Sequence, residues 1–277
     1  MTEDKIIAER EKKKLSDLRL FLLDMDGTLY LGDHLFGGTK EFLHYILRIG
    51  GRYLFLTNNS SKSVDGYVKK LHKLGISAKK EDFCTSAQVT GERLRKSYAG
   101  RKIYVLGTEA LKEEWHSMGI AVTERTEDDI ACLVMGFDTE LTFQKLEDAC
   151  ILLNRGVDYI ATNPDLVCPT EYGYVPDCGS VAQMLYNATG RNPDYIGKPA
   201  PEMIYAAMEQ TGFLPSQTVV VGDRIYTDIQ SGLNAGIATV LVMSGETDEK
   251  IYRESKSKPH FVFADIMEFY RALQKQN

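Results

Sequence analysis

The chain is 277 residues long, 43% hydrophobic and 26% charged, with a formal net charge of -6. That length exceeds the usual single domain and can bury a sizeable core, so two domains are expected. The acidic balance argues against a general nucleic-acid binder, whose domains are usually basic; a small anionic substrate stays open, because a cationic pocket can sit in an acidic protein.

The chain begins MTEDKIIAEREKKKLSDLR. It lacks an apolar h-region, so no secretory signal is expected. Residues 2–16 read as a solvated helix or a frayed tail, with Lys12, Lys13 and Lys14 as a surface charge run. Short apolar runs then alternate with helical patterns, the signature of a parallel α/β sheet. Runs at 18–23, 53–56, 218–221, 238–243 and 260–264 are nearly continuous, as in strands buried on both faces. Helices are expected over 38–49, 63–74, 201–211 and 227–235, with Gly50, Gly75, Gly212 and Gly236 as end caps. The middle of the chain has its own rhythm. Strands are expected at 102–106, 131–137 and 157–162, and helices at 109–118 and 143–154. The reading is therefore a doubly wound parallel-sheet core in two parts, 1–98 and 191–277, with an inserted α/β domain at 99–190.

The five cysteines are scattered and form no Cys-x-x-Cys pair, which suits reduced thiols in a cytoplasm better than a disulfide framework or a zinc site. No run of about 18 apolar residues suggests a membrane span. Neither a membrane nor nucleic acid is expected as a partner.

The chemistry stands at the ends of the apolar runs, where open parallel sheets bind their ligands. Leu23 is followed by Asp24-Met25-Asp26-Gly27-Thr28, Leu56 by Thr57-Asn58-Asn59, and Val221 by Gly222-Asp223. Lys198 stands in Ile196-Gly197-Lys198-Pro199, where a short strand is expected to hand over to a helix. On an extended segment Asp24 and Asp26 point to one side. Adding Asp223 makes three carboxylates, a cluster that is unfavourable without a cation. An oxygen-only set selects a hard ion such as Mg2+. Gly27 lets the backbone approach a phosphate, Thr57 and Asn58 can donate to its oxygens, and Lys198 supplies positive charge. Singly, each has a plainer reading, as a turn, a helix cap or a surface lysine. Their joint occurrence in this order points to phosphate chemistry.

These four stretches, the last running Gly222-Asp223-Arg224-Ile225-Tyr226-Thr227-Asp228, resemble the motifs of the haloacid dehalogenase superfamily from Leu18 onward. The insertion resembles the large α/β cap of the branch that includes 4-nitrophenyl phosphatases, the NagD nucleotide phosphatase and pyridoxal phosphate phosphatase, as do Thr162-Asn163-Pro164-Asp165 and Gly179-Ser180. The resemblance implies a phosphatase acting on a small phosphorylated metabolite. Asp24 is then the nucleophile, and Asp26 the acid and base that also lends its backbone carbonyl to the metal. Asp24, Asp223 and Asp228 hold Mg2+, with Asp228 doing so directly or through a water. Gly27, Thr57, Asn58 and Lys198 hold the phosphoryl group. It also implies that the cap can carry homodimer contacts. Dehalogenation is not expected, because Asp26 suits a leaving group that needs a proton.

Two readings stay open for Tyr172 and Tyr174 in the stretch 167–177: stacking on a flat substrate, or packing the cap onto the core. Arg224 is a candidate for a second anionic group on the substrate. The competing functions are a phosphotransferase or mutase acting on a sugar phosphate, and a non-catalytic phosphate-ligand-binding protein.

Overall fold

Leu20, Phe21, Leu22 and Leu23 are all fully buried, which a strand achieves only when both faces of its sheet are covered. The computed structural model describes residues 13–170 and 172–276. The expected helix or tail at 2–16, with Lys12, lies mostly outside them. The described chain forms two compact units. One takes residues from Met1–Leu56, Leu71–Cys84 and Pro199–Asn277; the other comprises Thr57–Lys70 and Thr85–Lys198.

The first unit is built on a six-stranded sheet. Its order is Phe261–Phe263, Ala238–Val242, Thr218–Gly222, Leu20–Leu23, Arg52–Thr57 and Phe83–Thr85. Leu20–Leu23 runs parallel to both neighbours, pairing Leu23 with Val221 on one side and with Phe55 on the other. This register brings the polar residues after Leu23 and Val221 to one end of adjacent strands.

Helices cover the sheet. Thr39–Arg48 buries Phe42, Leu43, Tyr45 and Ile46, and Ile266–Gln276 buries Ile266, Phe269 and Leu273, the spacing of one helical face. Phe42 meets Phe21 edge-on at 5.7 Å and Phe269 at 5.5 Å. Glu202–Thr211 buries Met203, Ile204 and Ala207 and ends at Gly212 in the left-handed conformation, whose N–H donates to the carbonyl of Met208.

The second unit holds a five-stranded parallel sheet ordered Asp194–Tyr195, Asp158–Ala161, Ile130–Met135, Lys102–Leu106 and Ala121–Thr123. Trp115 is fully buried in one of its cores, and its indole N–H donates to the carbonyl of Ala87 at 2.9 Å. Cys178–Thr189, capped by Asp177, packs with Phe143–Asn154 in the other. A two-stranded antiparallel hairpin, Val167–Thr170 with Gly173–Pro176, lies outside the sheet.

The expected strands and most helices are present within a residue or two. The exception is 227–235. Only Gln230–Asn234 is α-helical, and Ile225–Ile229 forms a wider turn in which Ile229 N–H reaches the carbonyl of Arg224 at 3.2 Å. The Asp228 carboxylate turns back to accept from the Arg224 N–H at 3.1 Å, and the ordinary first turn of the helix opens around it. The five-stranded sheet also takes in Asp194–Tyr195, past the boundary near 190 suggested by pattern. The five cysteines are free thiols. Among the described residues no helix is long and apolar enough to cross a membrane.

Candidate active site

Three carboxylates converge at the end of the six-stranded sheet. Asp24, Asp223 and Asp228 each present one oxygen, all within 4.8 Å of one another. Asp24 leaves its strand with its N–H bonded to the carbonyl of Val221 at 2.9 Å. Asp223 follows Val221 and Gly222 on the adjacent strand, and Asp228 arrives through the wide turn. Asp223 and Asp228 are buried and Asp24 is half-buried.

Asp223 is held from several directions. Its Oδ1 accepts from the Thr28 hydroxyl at 3.1 Å and its Oδ2 from the Glu246 N–H at 2.7 Å. Burial and the neighbouring Asp228 charge nevertheless push its carboxyl up to about 6, against the pull of those donors and of Arg224. Arg224 Nε lies 2.8 Å from Glu246 Oε2. Burial opposes its charge, but Asp24, Glu246 and Asp228 together hold the guanidinium well above its ordinary range. Buried carboxylates so close together repel one another, and a hard divalent cation is the species that suits an all-oxygen set of this kind.

Gly27 stands behind this cluster. Its φ is +85°, and a Cβ there would lie 2.5 Å from Asp223 Oδ2. Gly222 and Gly245 make similar close approaches to Asp228 and Asp223. Gly27 was expected only to open the backbone to phosphate; it also makes room for a carboxylate.

Asp26 does not join the three. The expectation of Asp24 and Asp26 side by side assumed extended backbone, but the chain turns at once. Leu29 N–H returns to the carbonyl of Met25 at 2.9 Å and Gly27 N–H to that of Tyr30 at 2.8 Å. The Asp26 side chain is exposed and accepts from the Tyr30 hydroxyl at 3.3 Å. Asp228 is the third carboxylate instead.

In the second unit, Lys198 is buried. It follows a strand of the five-stranded sheet rather than of the larger one. Thr57 ends Arg52–Thr57, and its hydroxyl accepts from the Asn59 N–H at 3.2 Å. Asn58 was expected to donate to phosphate. Its amide is instead engaged within the chain: Nδ2 donates to the carbonyl of Lys198 and Oδ1 accepts from the Lys198 N–H, both at 2.8 Å, while Nδ2 also lies 3.1 Å from Asp165 Oδ2.

The 244–247 segment borders the site and was not expected from the sequence. Ser244 donates to the carbonyl of Gly27 at 2.8 Å, and Thr247 N–H to that of Asp223 at 3.2 Å. The polar run Ser244-Gly245-Glu246-Thr247 after an apolar strand was the available signal.

A profile described as haloacid dehalogenase-like hydrolase matches residues 21–121, and a second, HAD-hydrolase-like, matches residues 195–269. An acid sugar phosphatase of Staphylococcus aureus is 32% identical over 261 residues, covering 94% of this chain and 100% of that protein. The chain belongs to the haloacid dehalogenase-like hydrolase family. Among solved members of that family, the 4-nitrophenylphosphatase of Thermotoga maritima superposes with a TM-score of 0.89 at 40% identity, covering 94% of this chain and 99% of that one. The glycerol phosphate phosphatase of Mycobacterium tuberculosis, solved with calcium, gives 0.85 at 32% identity over 94% and 75%; the same enzyme has been solved with magnesium. This chain is an enzyme of the phosphatase branch of the family.

Proposed function

We propose that the protein is a Mg2+-dependent phosphatase that hydrolyses a small phosphomonoester through a phosphorylated Asp24. The observation that carries this reading is the convergence of Asp24, Asp223 and Asp228, two of them buried and Asp223 pushed up in pKa by its burial and by the Asp228 charge. Such a cluster has a use when it holds a cation and a liability otherwise.

Asp24, Asp223 and Asp228 are the residues to hold the ion, with the Asp26 carbonyl as a further oxygen. When bound, Mg2+ neutralises charge on the phosphoryl oxygens. A carboxylate oxygen of Asp24 attacks phosphorus as the ester P–O bond breaks. Protonated Asp26 gives its proton to the departing oxygen. Its carboxylate then takes a proton from a water that attacks the aspartyl phosphate, releasing phosphate and restoring Asp24. The exposed position of Asp26 and its tether to the Tyr30 hydroxyl suit a group that exchanges protons with substrate and water. Thr57 and Lys198 hold the transferring phosphoryl group, with Lys198 supplying the positive charge. The inserted unit serves as the cap of this branch. Relatives named as an acid sugar phosphatase, a 4-nitrophenylphosphatase and a glycerol phosphate phosphatase favour a small sugar or polyol phosphate as substrate.

The test is phosphate release from 4-nitrophenyl phosphate with Mg2+ and with EDTA, for wild type beside Asp24→Asn. Release that needs both the metal and Asp24 supports the reading. Release that survives in Asp24→Asn removes the covalent step.

A further inference from the structure

We infer that Asn58 is a positioning residue for Lys198, clamping the backbone of the lysine loop rather than contacting phosphate through its side chain. The inference rests on the proposed role of Lys198 in holding the phosphoryl group.

The Asn58 amide pairs with the backbone of Lys198 as one β-strand pairs with another. Nδ2 donates to the Lys198 carbonyl and Oδ1 accepts from the Lys198 N–H, each at 2.8 Å. A side-chain amide has one donor end and one acceptor end, and this pairing uses both. Asn58 and Lys198 are buried, where a lost partner is not readily replaced by water.

The clamp is itself fixed. The backbone carbonyl of Asn58 accepts from the Ser86 hydroxyl at 2.7 Å and from Asn163 Nδ2 at 2.9 Å. The Gly197 N–H donates to the carbonyl of Thr162 at 2.8 Å. Gly197 lets the strands close: a Cβ there would lie 2.5 Å from both Asn58 Oδ1 and the Thr162 carbonyl oxygen. The Asn58 side chain thus holds Lys198, its backbone carbonyl is held by Ser86 and Asn163, and Thr162 holds Gly197, so the segments at 58, 162–163 and 197–198 are tied together. A lysine must present its ammonium with sub-ångström accuracy to act on a phosphoryl group, and its own long stem does not provide that. Anchoring the backbone N–H and C=O on either side of the Lys198 Cα does.

The clamp separates Asn58 from a residue that binds phosphate independently. Removing an independent contact adds its effect to that of removing Lys198. Removing a clamp that acts only through Lys198 adds nothing once the ammonium is gone.

The experiment is a double-mutant cycle on Asn58→Ala and Lys198→Ala. It reads kcat and KM for 4-nitrophenyl phosphate, competitive inhibition by inorganic phosphate, and melting temperature. Lys198→Ala should impair turnover and weaken phosphate inhibition; if it changes neither, the role given to Lys198 fails, whatever Asn58 does. Given that impairment, Asn58→Ala should lower kcat/KM about a hundredfold, and the double variant should match Lys198→Ala alone. Additive losses, or no loss in Asn58→Ala, overturn the clamp. Should Asn58→Ala not fold, Asn58→Asp replaces it: the acceptor for the Lys198 N–H is kept and the donor to its carbonyl removed. The same loss, again absent in the Lys198→Ala background, is expected, and additivity again overturns the inference.

Discussion

Gly27 and Asp223 occupy space that only one side chain can fill, since a Cβ on Gly27 would stand 2.5 Å from Asp223 Oδ2. The left-handed φ of Gly27 adds backbone strain for any other residue. Gly27→Ala should therefore displace the Asp223 carboxylate. Metal affinity should fall about 10- to 100-fold, as when groups that orient metal ligands are lost. Titration calorimetry with Mg2+ checks this; unchanged affinity would show that the carboxylate has room to move.

Asp223 also sets a pH dependence. Its carboxyl is raised in the folded, metal-free protein to about 6, against 3.8 as a free group. Between those values the folded state binds more protons than the unfolded one, so metal-free stability rises as pH falls from 7 through 6. Mg2+ competes for the same carboxylate, so its stabilising effect should shrink over that interval. Thermal melts with and without Mg2+ at pH 7.5 and 5.5 read both trends. Asp223→Asn should flatten the metal-free trend, and a wild-type melting temperature that falls on mild acidification would contradict the account.

The core strands were legible because each is a continuous apolar run, and the structure buries Leu20–Leu23, Val219–Val221 and Leu54–Leu56 completely. Strands of two or three residues, such as Phe83–Thr85 and Asp194–Tyr195, carry too few side chains to show a period. The helix at Ser86–Ser97 did carry a signal, the reciprocal cap between Thr85 and Gln88. At the site, Asp24 and Asp223 could be picked out because a carboxylate after an apolar run is conspicuous, whereas Asp228 follows Tyr226-Thr227 and was reached only through the family resemblance. Asp26 departs from the place its spacing suggests because that spacing holds for extended chain, and the backbone turns between Met25 and Tyr30. The partners of Asn58 and of Asp223 lie far along the sequence, at Lys198 and Glu246, and only the fold brings them within hydrogen-bonding distance.

The role of Asp26 predicts a dependence on the leaving group. Asp26→Asn keeps the shape but cannot deliver a proton, so alkyl phosphate hydrolysis should fall about 10²- to 10⁴-fold. Loss of phosphorylation should be smaller with 4-nitrophenyl phosphate, whose acidic leaving group needs less help. Mg2+ binding should persist, because the Asp26 carboxylate stands outside the cluster of three. Tyr30→Phe removes the hydroxyl that donates to Asp26 Oδ2 and should shift the same comparison more weakly. Equal losses of kcat/KM on both substrates, which reads the phosphorylation step alone, would take the proton-donor role from Asp26.

Tyr172 and Tyr174 are 84% and 66% exposed and fill no core of their own unit. Side chains that open to solvent are not filling a core. Replacing either with Ala should therefore leave stability within about 0.5 kcal/mol. Both stand on or beside the hairpin of Val167–Thr170 and Gly173–Pro176, which is free of the five-stranded sheet. An exposed aromatic ring there is suited to lie against a flat substrate. The double variant should raise KM for 4-nitrophenyl phosphate several-fold while leaving KM for glycerol phosphate nearly unchanged. The ratio of the two constants is the informative quantity, because a general disturbance of the site raises both. A parallel rise would count against stacking, and a drop in melting temperature of several degrees would return the tyrosines to a structural role.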